Sequence, residues 1–231
     1  METLMKRSFF VLCAICGMTT LRAQSVDDIV GKYVDALGGK AVIAGVKSLV
    51  IESTVDMAGN ESPSTTTILF GTGSKFNMDF NGMQIVTCIT TTGGWGIQPG
   101  QTGPATMPAE IVKASQLQLQ VSPLANYAAN GYKVELIGKD TADYKLRMTT
   151  PNVTLTFFIN MKTYLVDKLV SQSGGVQGDR TISFSDYRKT DVGLMFPYAQ
   201  TLVLPQVTLT MTHNKVTVNS TIDPTIFTMP K

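Results

Sequence analysis

His213 is the only histidine of this 231-residue chain, and Cys88 is the only one of its three cysteines that lies beyond residue 16. A Cys-His nucleophilic pair would have to use these two, with a third group to orient the imidazole, and the sequence marks none. Zinc would need three or four ligands, yet His213 has only Asn214 beside it. In QVTLTMTH the set Val207, Leu209, Met211 and His213 alternates with Thr208, Thr210 and Thr212. This histidine therefore belongs to the apolar side of a strand, as a hydrogen-bonded core or cavity residue. Asp27-Asp28 fits the first turn of a helix, and Asp186 beside Arg188 fits an ion pair at a sheet end. Gly71-Thr72-Gly73 and Gly174-Gly175 read as turns, and neither opens a helix with phosphate-loop spacing. No catalytic residue, metal site or cofactor is predicted, and the chain is not read as an enzyme.

The elements around these residues begin after an export signal. In METLMKRSFFVLCAICGMTTLRA, Lys6 and Arg7 precede an apolar run from Phe9 to Met18, and Ala23 offers a small residue for cleavage before Gln24. The run is about half the length of a membrane span. The residues before Cys13 and Cys16 do not suit lipoprotein processing. A mature chain of residues 24–231, a single domain exported to the periplasm, is expected. Cleavage removes three basic residues and one acidic residue, leaving sixteen of each and no net charge. A neutral chain without a basic cluster has no electrostatic footprint for nucleic acid. Cys88 then has no disulfide partner, so the fold rests on its hydrophobic core; in QIVTCITT it reads as a small buried hydrophobe.

SVDDIVGKYVDALGG predicts an N-terminal helix: Ser25 caps it, Gly38-Gly39 ends it, and Val26, Ile29, Val30, Tyr33 and Leu37 share one face. KAVIAG can add a short turn. Period-two alternation follows. Leu49, Ile51, Val55 and Met57 form one side of the first strand, GNESPS a turn, and TTTILFGTG a second strand. Phe76, Met78 and Phe80 share a side of the third, and Asn81-Gly82 turns the chain into MQIVTCITT. After Gly131 the segments GYKVELIGK, ADYKLRMTT, VTLTFFIN, TYLVDKLVSQ, DRTISFSDYRK, LMFPYAQTLVLP and QVTLTMTHNKVTV read as seven more strands. In VTLTFFIN, Val153, Leu155, Phe157 and Ile159 alternate with Thr154 and Thr156. Ile226 and Phe227 close the chain, tucked under an edge or open end.

GGWGIQPGQTGPATMPAEIVKASQ interrupts the strands and contains the only tryptophan, Trp95. It predicts a glycine-flexed stretch, then a helix from Pro108 with Met107, Ile111, Ala114, Leu117, Val121 and Leu124 on one side. The helix should break near Pro123, with a second short one running through Tyr127; LQLQV also fits a strand. About eleven strands and few helices favour one strongly curved antiparallel sheet, an unclosed barrel crossed by an N-terminal helix and a helical insertion. Such a sheet either packs solid or keeps an apolar cavity. Phe76, Met78, Phe80, Phe157, Ile159, Met211 and His213 are its candidate ligand-cavity residues. Trp95, Ile111, Ala114, Leu117, Val121 and Leu124 form its candidate lid, movable or a static cap.

DIVGKYVDALGGKAVIAGVKSLV, GGWGIQPGQTGPATMPAEIVKAS, GYKVELIGK, FSDYRKTDVGLMFPY and IDPTIFTMPK together resemble the outer-membrane lipoprotein-sorting proteins of Bacteroidetes-type bacteria, within the LolA/LolB-like superfamily. The resemblance spans the mature chain. It implies an unclosed barrel of about eleven strands whose helices shield a hydrophobic cavity, and a periplasmic carrier of lipoprotein acyl chains or lipid. It also implies transient donor or acceptor partners in the envelope, no nucleic acid, and action as a monomer. In the best-known carriers an inner-strand arginine bonds the lid; Arg147 and Arg180 are candidates, and no motif chooses between them. Distant relatives bind other lipids or act as sensors. A binding or sensory module for another apolar envelope ligand, or a packed structural β protein, is the alternative.

Overall fold

The structure, a computed structural model, describes residues 24–172, 179–204 and 207–231. The signal-peptide segment 1–23 and the Gly174-Gly175 turn lie outside them. Helix α1 (Val26–Ala36) begins at a capping box. The Ser25 hydroxyl accepts from the Asp28 amide, and the Asp28 carboxylate accepts from the Ser25 amide. Its stripe of Ile29, Val30, Tyr33 and Val34 is buried. The single turn allowed for KAVIAG is a six-residue helix, α2 (Lys40–Gly45).

Every strand joins one antiparallel sheet: β1 (Ser48–Met57), β2 (Asn60–Leu69), β3 (Gly73–Phe80), β4 (Met83–Thr90), β5 (Gly94–Ile97), β6 (Ala105–Thr106), β7 (Lys133–Lys139), β8 (Asp143–Thr149), β9 (Thr154–Asn160), β10 (Val166–Gln172), β11 (Arg180–Lys189), β12 (Met195–Val203) and β13 (Thr208–Val218). Their spatial order is β6-β5-β4-β3-β2-β1-β13-β12-β11-β10-β9-β8-β7. Two meanders thus meet where β1 pairs β13, and β6 and β7 remain as edges, so the sheet does not close.

The sheet has thirteen strands rather than eleven, because β5 and β6 form inside the segment expected to be a glycine-flexed loop. Within GNESPS, residues 60–64 are strand rather than turn, since the reversal needs only Ala58 and Gly59, both at positive φ. Pro63 is tolerated because β3 pairs only Ser64 to Leu69 of β2, so the missing N–H meets no neighbouring strand.

One side of the sheet carries the main core. Leu146, Met148, Leu155, Phe157 and Ile159 pack there with Leu49, Ile51 and the buried face of α1. A second, smaller core joins Val86, Cys88, Trp95 and Phe227, the last from a terminal 3-10 turn, Pro224–Phe227. No helix among the described residues is long and apolar enough to cross a membrane.

Candidate functional site

An apolar cavity of about 220 Å³ lies between the main-core side of the sheet and the elements crossing it. Tyr33 of α1 and its C-cap residue Leu37 form one wall, and Phe157, Val166, Leu169, Phe184 and Tyr187 the opposite one. Phe196, Pro197 and Gln200 of β12 bound one end, and Val121 of the insertion closes part of the cover. Tyr187 is fixed by donating its hydroxyl to the Val166 carbonyl at 2.8 Å. Burial pushes its phenol pKa up, so it stays protonated as that donor. Usual ligand pockets span about 300–1,000 Å³, so this space is smaller than most.

The cover is the second half of the insertion. Helix α3 (Ala109–Ser115) tightens into a 3-10 turn, Gln116–Leu119, and residues 123–131 continue as turns. The long helix predicted from Pro108 is therefore shorter, Pro108 is its N-cap, and the second helix through Tyr127 does not form. The tightening changes the helical period, so Val112, Leu119 and Leu124 are the buried positions, while Ile111, Ala114, Leu117 and Val121 are half-buried.

A hydroxyl pair joins this cover to α1: Tyr33 Oη and Ser122 Oγ lie 2.9 Å apart, both buried. Burial raises the Tyr33 phenol pKa, keeping its proton in place. Ser122 also accepts from the Ala125 amide at 3.2 Å. Tyr127 donates a short hydrogen bond to Asp27 from outside. These side chains connect helix and insertion where an arginine was considered; Arg147 is exposed on β8. On the far side of Val121 a second hollow of about 570 Å³ opens among Val34, Ile43, Val46, Phe70, Leu119 and Ala125. Val121 lines both spaces.

Trp95 is not in this cover. It lies in β5, buried, with its indole N–H donating to the Phe227 carbonyl at 2.8 Å and the Lys75 ammonium 5.4 Å from its ring centroid. Cys88 stands opposite it in β4, its thiol 3.4 Å from the same carbonyl. Burial pushes the thiol pKa up to about 11, so at neutral pH it is the inert neutral form.

Of the predicted cavity residues, Phe157 lines this space. Ile159 is fully buried in the core beside it. Met211 pairs across strands with the lining residue Gln200. Phe76, Met78 and Phe80 lie on β3, four strands from β12, and do not line it. His213 is 6% exposed, with Nδ1 2.7 Å from Ser53 Oγ, and its ring centroid is 5.8 Å from that of the lining residue Phe196. Burial alone lowers its pKa. Among the described residues no group of three or more His, Cys, Asp or Glu is placed to hold a metal.

Sequence reasoning missed Tyr187, Leu169, Phe184 and Phe196 as lining residues. TYLVDKLVSQ and LMFPYAQTLVLP place apolar residues on both parities, so alternation does not assign their sides.

The sequence matches no known family profile and no curated protein. Solved structures give the likeness. The LolA superfamily protein of Nitrosomonas europaea superposes with a TM-score of 0.59 at 13% identity, over 89% of this chain and 98% of that one. A DUF1329 family protein from Desulfovibrio piger gives 0.57 at 11% identity, over 89% and 98%. A domain from Vibrio parahaemolyticus, described as an outer-membrane lipoprotein-sorting protein, gives 0.54 at 12%, over 88% and 97%. At these identities the likeness is one of architecture: this chain has the LolA/LolB-like fold, an unclosed antiparallel sheet crossed by helices.

Proposed function

We propose that this protein is a periplasmic carrier, of the Bacteroidetes lipoprotein-sorting type, that shields an acyl chain of a lipoprotein or lipid on its way to the outer membrane. The apolar cavity under α1 and the insertion carries this reading. Each methylene moved from water into it gains about 0.8 kcal/mol. A chain of several carbons is thus held firmly inside and released only toward a site offering equal burial. The step needs no nucleotide or cofactor and no covalent chemistry. Export depends on residues 1–23, and the domain is residues 24–231, working as a monomer with transient envelope partners.

Phe157 lines the ligand space, with Ile159 behind it and Met211 beside Gln200. Residues 109–131, carrying Ile111, Ala114, Leu117, Val121 and Leu124, form the moving cover. Displacing Val121 would join the two hollows into a space long enough for more of a chain. The Tyr33–Ser122 bond is the contact that such an opening must break.

Native mass spectrometry of protein purified from the periplasm, with identification of whatever organic solvent extracts, tests this. Copurified acylated peptide or lipid is expected. Purified protein that is empty and gains no mass with diacylated lipopeptide or phospholipid would overturn it.

A further inference from the structure

Gln200 stands where the sheet's own pattern calls for an apolar side chain. From β11 to β1 its row reads Phe184, Gln200, Met211 and Val55, so Gln200 is the one polar member. The next row toward the β1–β2 turn is Leu169, Ile182, Leu202, Leu209 and Met57, apolar throughout and half-buried. A carboxamide set among hydrocarbon side chains gains nothing from burial and needs a polar partner.

The cavity offers the place for one. Three of its lining residues carry polar side chains: Tyr33, Tyr187 and Gln200. Both phenols are engaged, Tyr33 with Ser122 and Tyr187 with the Val166 carbonyl. The Gln200 side chain has no hydrogen-bond partner among the described residues. The sealed polar atoms that lack a partner are Asp143 Oδ1, Arg180 Nε and His213 Nε2, so the amide oxygen and nitrogen of Gln200 remain accessible. A free polar group at the wall of an apolar pocket fixes how a bound molecule is oriented. Among the described residues no charged side chain lines the cavity, so a carboxylate or phosphate drawn inside would lose its hydration without a counter-ion. The amide N–H therefore suits a neutral acceptor. Burial is graded as well. Leu37, Leu49 and Leu194 are buried, whereas Leu169, Phe184, Phe196 and Gln200 are half-buried.

We infer that Gln200 reads the linkage of a bound acyl chain: its carboxamide donates a hydrogen bond to the acyl carbonyl, the tail runs toward Leu37 and Leu194, and the head group faces the half-buried end of the sheet. This rests on the carrier reading and deepens it by assigning the direction in which the ligand lies. The carbonyl is common to the ester of a phospholipid and the amide of an N-acylated peptide.

The test uses the full chain purified from the periplasm and stripped of lipid, with NMR of methyl decanoate labelled with ¹³C at its carbonyl. Methyl decanoate and undecane each compete for the cavity against an anilinonaphthalene sulfonate probe. The Gln200 side-chain N–H signals should shift with the ester and not with undecane. The chain-terminal methyl should contact Leu37 or Leu194, and the ester methyl Gln200. Gln200→Leu matches its apolar neighbours, so the variant should fold and still bind undecane. It should weaken methyl decanoate about fivefold relative to undecane, and return the carbonyl ¹³C shift toward its value in hydrocarbon solvent. Gln200→Asn, which keeps the amide with a shorter reach, should fall between. Weaker binding of phosphatidylethanolamine or of an N-palmitoyl peptide by Gln200→Leu supports the inference, and which of them weakens tells the ester from the amide source. An ester-to-undecane ratio unchanged in Gln200→Leu, Gln200 signals indifferent to the ester, or tail contacts at Leu202 and Leu209 instead would overturn it, and the carrier would stand. Failure of the wild type to bind either molecule would remove the carrier reading itself.

Discussion

The two halves of the insertion differ in kind. Residues 94–106 are sheet: β5 pairs β4, β6 pairs β5, and the Met107 amide donates to the Gly94 carbonyl at 2.9 Å. Residues 109–131 have no strand pairing and are held mainly by side chains, with Gln116 donating to the Thr90 and Thr91 carbonyls, Tyr33 with Ser122, and Gln120 donating to Tyr132, besides one main-chain bond from the Gly71 amide to the Leu119 carbonyl. Glycines suggest flexibility in the first half, yet the two in β5 are there because the backbone is crowded. A Cβ on Gly96 would stand 2.7 Å from the Val86 carbonyl, and one on Gly94 would stand 3.0 Å from both Ile89 and Val112. Glycine is required for close approach as often as for freedom. One half is tied in by strand pairing, and the other mainly by side chains.

The largest effect should come from breaking the anchor. Trp95→Ala removes the centre of the smaller core and leaves the Phe227 carbonyl without its indole donor. A loss of about 3–5 kcal/mol is expected in urea denaturation. Val121→Ala, half-buried in the cover, should cost less than about 1.5 kcal/mol, because it removes two methyl carbons at a position already open to space on two sides. It should also speed exchange of a bound apolar probe. Equal costs at the two positions would dissolve the distinction between anchor and cover.

Gly96→Ala comes next. Its new methyl meets backbone oxygen, not a side chain that can turn away, so β4 and β5 must separate. About 1–3 kcal/mol of destabilisation is expected, with ligand exchange rates unchanged, since the cavity lies elsewhere. A variant that melts normally but releases ligand faster would show that residues 94–106 take part in opening.

The architecture was largely legible because alternation is local. Leu155, Phe157 and Ile159 against Thr154 and Thr156 fix their own sides. Two features were hidden. A short strand such as GWGI has no alternation to read, since two of its four residues have no side chain. The bulge at Asn214 is visible only as a parity slip: Leu209, Met211 and His213 are odd, while Val216 and Val218 are even. That slip could have been read beforehand. What could not is the partner strand that turns it into a Ser53–His213 pair 160 residues apart. The cavity shares this limit, because its walls come from α1, the insertion and β9–β12 together.

Tyr33→Phe is a finer probe of the half held by side chains. It deletes one hydroxyl and leaves Ser122 with the Ala125 amide as its remaining protein partner. A loss of about 1 kcal/mol in stability is expected, accompanied by faster probe entry and exit. Stability reduced without any change in exchange would make the bond a simple packing contact.

The smallest effect is a pH dependence assigned to one ring. Burial lowers the His213 pKa below the ordinary 6.5, so the unfolded chain binds its proton at a pH where the folded chain does not. Between the folded and unfolded values, stability therefore rises with pH. The contribution is fully present above about pH 6.5 and is lost as the pH falls toward the folded value, below which the slope ends. Because this is the only histidine, His213→Gln should flatten the urea midpoint between pH 7 and 5 in a way no carboxylate variant does. Protonation would also place a charge beside Ser53 inside the sheet, on the cavity side of β13 rather than at the Trp95 anchor. Hydrogen exchange at acid pH should accordingly quicken at β1 and β13 before it does at β4 and β5. The reverse order would mean that the anchored half, not the cavity half, is the weaker part of the sheet.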